Sequence, residues 1–239
     1  MKGVKSYSYS GEQAIEETII NNATTINNKK VKLYIEKAVK RVIDIIAGLV
    51  GTILLIPITI GVYIARKILK EDDGPIFYDQ LRIGKNGKHF KLYKYRSMVI
   101  GADDKLKEYL AENEEAREEY SKYKKLKKDP RITKLGNFLR KTSLDEFPQF
   151  INVLKGDMSL VGPRPYLPRE KEDMGEYYKY IIQCKPGITG YWQIAGRSNV
   201  TFQDRLDLDI KYYETKSLKN DIKILLKTFK KVLGKEGAV

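Results

Sequence analysis

Between Ile45 and Ala65 the chain reads IIAGLVGTILLIPITIGVYIA, 21 residues without one charged side chain. As a straight helix this run is about 32 Å long, against a hydrocarbon core of about 30 Å. It needs an apolar environment along its length, and that need constrains where the rest of the chain can sit. Pro57 lies inside the run; it deletes one backbone hydrogen bond and crowds the preceding turn, so it marks a bend. Both flanks are basic, with Lys37, Lys40 and Arg41 before and Arg66, Lys67 and Lys70 after. A spanning helix carries its Lys/Arg excess on the cytoplasmic side only. Two basic flanks favour a re-entrant helix, broken at Pro57, with both ends on the cytoplasmic face. An ordinary single-pass helix with a proline kink is the competing reading.

The chain has 239 residues, with 45 Lys and Arg against 31 Asp and Glu, a formal net charge of +14. That excess predicts an anionic partner: nucleic acid, anionic membrane lipids or phosphorylated small molecules. No helix-turn-helix, zinc-finger or RNP pattern supports nucleic acid, and the apolar run favours the other two. The single Cys, Cys184, excludes an internal disulfide, and the single His, His89, excludes a multi-histidine metal site. His89 falls in a hairpin segment and reads as structural. No secretory signal is visible, because the first residues are polar and the apolar run comes too late.

Three segments are expected. Residues 1–30 form a flexible polar tail, with a short helix near Glu12–Ile20. Residues 31–70 form the membrane-associated helix, and residues 71–239 form one compact cytoplasmic domain. Asp44, at the edge of the apolar run, needs a partner, and Lys40 or Arg41 lies at helical spacing. Ile76–Met98 reads as a β-hairpin around the Asn86-Gly87 turn. Asp103–Lys128 reads as one charged helix ended by Asp129-Pro130, acidic first and basic last. FPQFINVLK is a partly apolar helix. GDMSLVGPRPYLP and KPGITGYWQIAGRS are loops rich in Gly and Pro. Glu172–Cys184 and Phe202–Tyr213 are helices. Leu218–Leu233 alternates an apolar stripe (Leu218, Ile222, Leu225, Phe229, Val232) with lysines, the composition of an interfacial amphipathic helix or of a core-packed surface helix. The fold class is mainly α with a small β-hairpin.

Chemistry concentrates at Leu144-Asp145-Glu146, after Arg140 and Ser143. Adjacent acids beside an arginine can bind a divalent cation, act as acid and base, or supply a carboxylate nucleophile. The structural alternative is a capping box, Ser143-x-x-Glu146, but it would put Pro148 where a helix needs its N–H. Arginines in glycine-bearing loops form a second group: Arg164 in GPRP and Arg197 in AGRS, with Lys94 and Arg96 in YKYR. Gly lets backbone approach closely, and the arginine fork matches phosphate oxygens. No GxSxG, Walker A or GxGxxG pattern occurs.

Four stretches, KRVIDIIAG, PIFYDQLRIGKNGKHFKLYKYRSM, DPRITKLGNFLRKTSLDEFPQFINVLKGDMSLVGPRP and KPGITGYWQIAGR, resemble the bacterial sugar transferases, the monotopic phosphoglycosyl transferases. The likeness covers roughly residues 38–233, in an order of motifs specific to that family, and is to its minimal form. It implies a membrane enzyme that moves a sugar 1-phosphate from a UDP-sugar to polyprenyl (undecaprenyl) phosphate at the start of exopolysaccharide or glycan assembly. It implies Asp145 as nucleophile, Glu146 as its partner in an acidic dyad, and Mg²⁺ at Asp145. Arg140, Arg164 and Arg197 fall on phosphate-contacting positions; Lys94 and Arg96 match a further basic motif, and Asp209 a recurrent acid without an assigned role. The family often breaks its membrane helix at Ser-Pro, where this chain has Ile56-Pro57. Nothing in the sequence reads a sugar's hydroxyl pattern, and oligomeric state stays open, a homodimer included. The rival reading is a non-catalytic, membrane-anchored basic protein that recruits acidic lipids or partners; it leaves the LDE and GPRP loops unexplained.

Overall fold

A computed structural model of the chain describes residues 7–195 and 200–233. The chain divides into two compact units, Met1–Val42 and Ile43–Val239. The first holds the N-terminal part of helix α1 (Tyr7–Ile68), so residues 7–30, expected as a polar tail, are helical. Near its end Lys37 lies over the Tyr34 ring. All that follows concerns the second unit.

The apolar run forms the C-terminal part of α1, and the helix continues through Pro57 rather than stopping there. Close by, the Leu55 carbonyl accepts hydrogen bonds from Thr59 Oγ1 (2.7 Å) and Tyr95 OH (3.4 Å). Those hydroxyls stand beside a proline that is not preceded by Ser. Burial along this stretch recurs at Asp44, Gly48, Gly51, Leu55 and Val62, a helical period that defines one packed face. Ile46, Leu49, Val50, Ile53, Ile56 and Ile60 are each more than half exposed on the remainder. A helix that is apolar all round and packed on one face only presents its other face to lipid or to a partner.

The expected hairpin is present. β1 (Phe77–Ile83) pairs antiparallel with β2 (His89–Tyr95), from Phe77 opposite Tyr95 to Ile83 opposite His89. Asn86 and Gly87, both at positive φ, turn the chain between them, as an Asn-Gly pair favours. His89 is exposed at the start of β2. The charged segment after the hairpin is two helices, α2 (Ala102–Glu112) and α3 (Glu114–Tyr123), rather than one. Asn113 leaves helical geometry and caps α3, its side chain accepting from Ala116 N, so a cap residue splits the expected helix without Gly or Pro.

Helix α4 (Lys134–Thr142) is N-capped by Thr133 and followed by a 3₁₀ turn, Leu144–Glu146, and helix α5 (Gln149–Lys155). The turn has no side-chain N-cap, so the capping-box reading of Ser143 does not hold. A short strand β3 (Ser159–Val161) follows. The expected helix over Glu172–Cys184 is instead broken into two short helices, α6 (Lys171–Met174) and α7 (Tyr178–Ile181), by Gly175 at φ +49°. Next come strand β4 (Gly187–Thr189) and the helices α8 (Tyr191–Ala195), α9 (Phe202–Thr215) and α10 (Leu218–Leu233). Helix α10 packs on one face and leaves apolar side chains exposed on another. Ile224 is buried in the core beside Tyr212, while Ile222, Leu226 and Phe229 stay exposed.

The sequence offers no strand signal for β3 or β4, yet they pair in parallel, Ser159 with Gly187 and Val161 with Thr189. This pairing joins the two glycine-rich loops, and glycine is what permits it. A Cβ on Gly187 would meet Gly162 N at 2.1 Å, and one on Gly190 would meet Gly162 O at 2.3 Å. We predict that Gly187→Ala destabilises the fold by about 3 kcal/mol, since the clash is with backbone that cannot rotate away. Gly61→Ala, where nothing lies within 4 Å of the added methyl, should be neutral or stabilising by up to about 1 kcal/mol. Denaturant unfolding of the two variants in detergent checks both.

Candidate active site

The site begins with how the LDE turn is held. Asn152 on α5 is fully buried; its Oδ1 accepts from Tyr93 N (3.0 Å) and its Nδ2 donates to Lys91 O (2.8 Å). One side chain thus fixes α5, and the turn before it, against the outer edge of β2. Lys94 on β2 is thereby set on the acidic pair, its Nζ 3.0 Å from Glu146 Oε1 and 4.0 Å from Asp145 Oδ2. Asp145 is only 7% exposed.

Arg140 reaches the same region from α4. Gly136 lets α4 cross the Ser97 backbone so closely that a Cβ would lie 2.0 Å from Ser97 O, and Arg140 Nε donates to Ser97 Oγ (2.9 Å). Burial lowers the pKa of the Arg140 guanidinium, and Asp145 is the foremost of the charges that resist the shift. Lys94 and Arg140 thus place cationic charge beside the acidic pair.

Arg164 comes from the loop after β3. Its backbone N–H and the Tyr166 hydroxyl both donate to Asp209 Oδ2, at 3.1 and 2.8 Å, so the acid of unassigned role clamps the GPRPY loop from α9. Asp209 is completely buried, and burial lifts its pKa to about 7, against the pull of Tyr166 and Arg164. The Arg164 guanidinium lies over the Trp192 ring, 5.4 Å from its centroid, and Arg205 lies over the same ring at 6.0 Å.

Arg82, Lys94, Glu146, Gln149, Arg164, Trp192 and Gln193 line one cleft of about 340 Å³. Sequence reasoning missed several of these groups. Arg82 lies one residue from the end of β1 and is 8% exposed, with Nη1 on Pro165 O (2.8 Å). The available signal was a charged residue at an inward position of a hairpin strand. Burial and the charge of Arg164 push both Arg82 and Arg205 down to about 10. Lys125 falls to about 8 from burial and the charges of Arg205 and Arg164. Cations that depress one another's pKa lack sufficient local anionic charge, and a phosphate would supply it. Arg82 Nε, Arg164 Nε, Trp192 Nε1 and Gln193 Oε1 are buried without a hydrogen-bond partner. Such groups are costly unless a ligand or water completes them.

Of the other expected residues, Arg96 is placed elsewhere: its guanidinium bonds Asp72, beside Arg66, and fixes the loop that leaves α1. Arg197 lies outside the described residues. Asp44, for which the sequence offered Lys40 or Arg41, accepts from Ser159 Oγ and Leu160 N of β3. Among the described residues no cluster of three metal-ligating side chains occurs. The adjacent Asp145 and Glu146 fit a Mg²⁺ that takes one or two carboxylates and fills its remaining positions with phosphate and water.

Comparison with known proteins identifies the family. A model of the bacterial sugar transferase family matches residues 35–235. The undecaprenyl-phosphate galactose phosphotransferase of Salmonella typhimurium is 48% identical over 199 residues, 83% of this chain and 41% of that protein. The UDP-glucose:undecaprenyl-phosphate glucose-1-phosphate transferase of Escherichia coli is 37% identical over 81% of this chain and 40% of its own length. The exopolysaccharide production protein ExoY of Rhizobium meliloti is 39% identical over 83% of this chain and 87% of its own length. The chain thus spans less than half of the first two and most of the third. The match to the family model runs through α1, the hairpin, the LDE turn and both glycine loops, and the chain belongs to the bacterial sugar transferase family.

Proposed function

We propose that the chain transfers a sugar 1-phosphate from a UDP-sugar to undecaprenyl phosphate, releasing UMP, at the cytoplasmic face of the membrane. The observation that carries this is one cleft in which Glu146 faces Lys94, with Asp145 next to it in the same turn, while Arg82 and Arg164 hold buried, unpartnered nitrogens. A diphosphate offers acceptors to those nitrogens, and its sugar-bearing phosphorus is the electrophile that a carboxylate beside them can attack. A protein that only recruits acidic lipids gains nothing from burying such donors, which disfavours the binding-module reading.

The chain's residues take distinct parts. Arg164 and Arg82 bind and orient the phosphates. Asp145 attacks the sugar-bearing phosphorus through a carboxylate oxygen; the bond to UMP breaks and a sugar-phosphoryl carboxylate remains. An oxygen of undecaprenyl phosphate then attacks the same phosphorus and releases Asp145, giving the undecaprenyl diphosphate sugar. Glu146, held by Lys94, keeps a second carboxylate beside the reacting centre. Mg²⁺ would be held by Asp145 with Glu146, and when bound it neutralises charge on the diphosphate. Two anionic substrates that use one site in turn need not be held together against their repulsion.

Asp145→Asn keeps shape but removes the nucleophile, so kcat should fall by at least about 10³-fold, the scale seen when a covalent catalyst is removed. Rapid quench with UDP-sugar, Mg²⁺ and no lipid should give one equivalent of UMP and a hexose-phosphate mass increase on the Asp145 peptide. Absence of both, in enzyme shown to be active with lipid, would leave direct attack by the lipid phosphate. Arg164→Lys keeps charge but loses the fork and should cost about 1–3 kcal/mol in kcat/KM; an unchanged value would make Arg164 a loop residue only. Transfer from a panel of UDP-sugars, with product analysis, identifies the sugar, and nucleotide release with no lipid product would mark a hydrolase instead.

A further inference from the structure

We propose that Asp44 is a positioning residue for this reaction: it pins the strand leading into the phosphate-binding loop to the membrane helix, and so sets the depth at which the cleft meets its lipid acceptor. The inference rests on the reading just given. An ionisable side chain at the edge of an apolar run is expensive and is kept for a purpose. Asp44 is 3% exposed, and its Oδ1 accepts from Ser159 Oγ (3.0 Å) and Leu160 N (2.9 Å). In β3, Ser159 and Val161 are the residues in register with β4. Leu160 N therefore points away from that partner, and Asp44 supplies the acceptor that this edge donor requires.

From Leu160 the backbone is held at nearly every step to the loop. Val161 O accepts from Tyr212 OH (3.1 Å), Gly162 N donates to Thr189 O (3.0 Å), and Arg164 N donates to Asp209. The segment from Leu160 to Arg164 is therefore fixed to the cleft as one unit, so a shift at Leu160 moves the cleft against α1 rather than Arg164 within it. At the other end, Asp44 is followed at once by the exposed apolar residues Ile45, Ile46, Leu49 and Val50. Those residues fix its height against lipid, and one helical turn is about 5.4 Å. The two hydrogen bonds thus transfer the level of the bilayer to the level of Arg164. A depth error acts on a substrate held in the membrane and spares one arriving from water.

The test uses the full chain in lipid nanodiscs containing a dansyl-labelled head group. Trp192, the single tryptophan, is the energy-transfer donor inside the cleft. Asp44→Leu removes the acceptor, Asp44→Asn keeps it, and Ser159→Ala removes one donor without touching α1. Asp44→Leu should change the transfer efficiency and lower kcat/KM for undecaprenyl phosphate at least tenfold, with UMP affinity within twofold of wild type. Asp44→Asn should restore both readouts, and Ser159→Ala should shift them in the same direction to a smaller extent. Unchanged energy transfer, or equal loss of UMP affinity and acceptor kcat/KM, in Asp44→Leu would overturn the proposal; if that variant does not fold, the same results in Ser159→Ala overturn it. If the wild type moves no sugar phosphate to lipid, the functional reading fails, and the energy-transfer comparison still decides whether Asp44 sets the depth.

Discussion

One face of the apolar helix holds the site together. Gly51 receives the Phe150 ring so closely that a Cβ would lie 2.2 Å from it, and Gly48 admits the Leu154 backbone at about 3 Å. Leu55 and Val62 pack with Tyr95, Leu135 and Leu139, and Asp44 bonds β3. Those partners belong to β2, α4, α5 and β3, the elements that carry or flank Lys94, Arg140, the acidic dyad and Arg164. The segment that seeks lipid is therefore also the surface on which the chemical groups are brought into register. Burying a fully enclosed Leu or Val side chain stabilises by about 1.5–3 kcal/mol, so this face is a substantial part of the core as well as an anchor.

The packing bears on topology. From Asp44 to Val62 the helix is about 27 Å long at 1.5 Å per residue, and the domain touches it throughout. Were this stretch to cross the bilayer upright, the elements beside it would enter hydrocarbon with Lys94, Arg140 and Lys155. Intramembrane charges cost several kcal/mol each. A helix that dips into one leaflet with its exposed isoleucines and leucines in lipid avoids that cost, in keeping with basic residues at both ends.

Some of this was legible in the sequence and some was not. The charge-free run and the Asn86-Gly87 hairpin are local patterns, and the structure follows them; α10 is a helix as its 3–4 period predicts, but the apolar residue it buries is Ile224, outside the stripe, while Ile222 and Phe229 stay exposed. LDE, Lys94 and GPRP were readable because acids and bases stood in short, unusual contexts. The parallel pairing of β3 with β4 was not, since three-residue strands inside Gly/Pro segments carry no periodicity; only the tertiary approach of Gly162 to Gly187 makes them strands. Arg82, Arg205, Gln149 and Gln193 are scattered in sequence and acquire meaning only when folding collects them around Trp192. Arg96 looked equivalent to Lys94, two residues away on the same face by strand alternation, yet Asp72 claims it. The break at Asn113 shows the same limit, for a helix cap is a local choice between two hydrogen-bonding patterns that composition alone does not rank.

A packed helix that enters and leaves the membrane on one side keeps both of its flanks on that side. In a Cys184→Ser background, single cysteines at Asn28 and Asp73 bracket the apolar run, the Asp73 side chain being 91% exposed. The measurement is labelling of each with a membrane-impermeant thiol reagent, in intact cells and again after permeabilisation. A re-entrant helix leaves both sites protected in intact cells, and both label once the membrane is opened. Labelling of Asn28→Cys from outside, with Asp73→Cys still protected, would show a true span and contradict it.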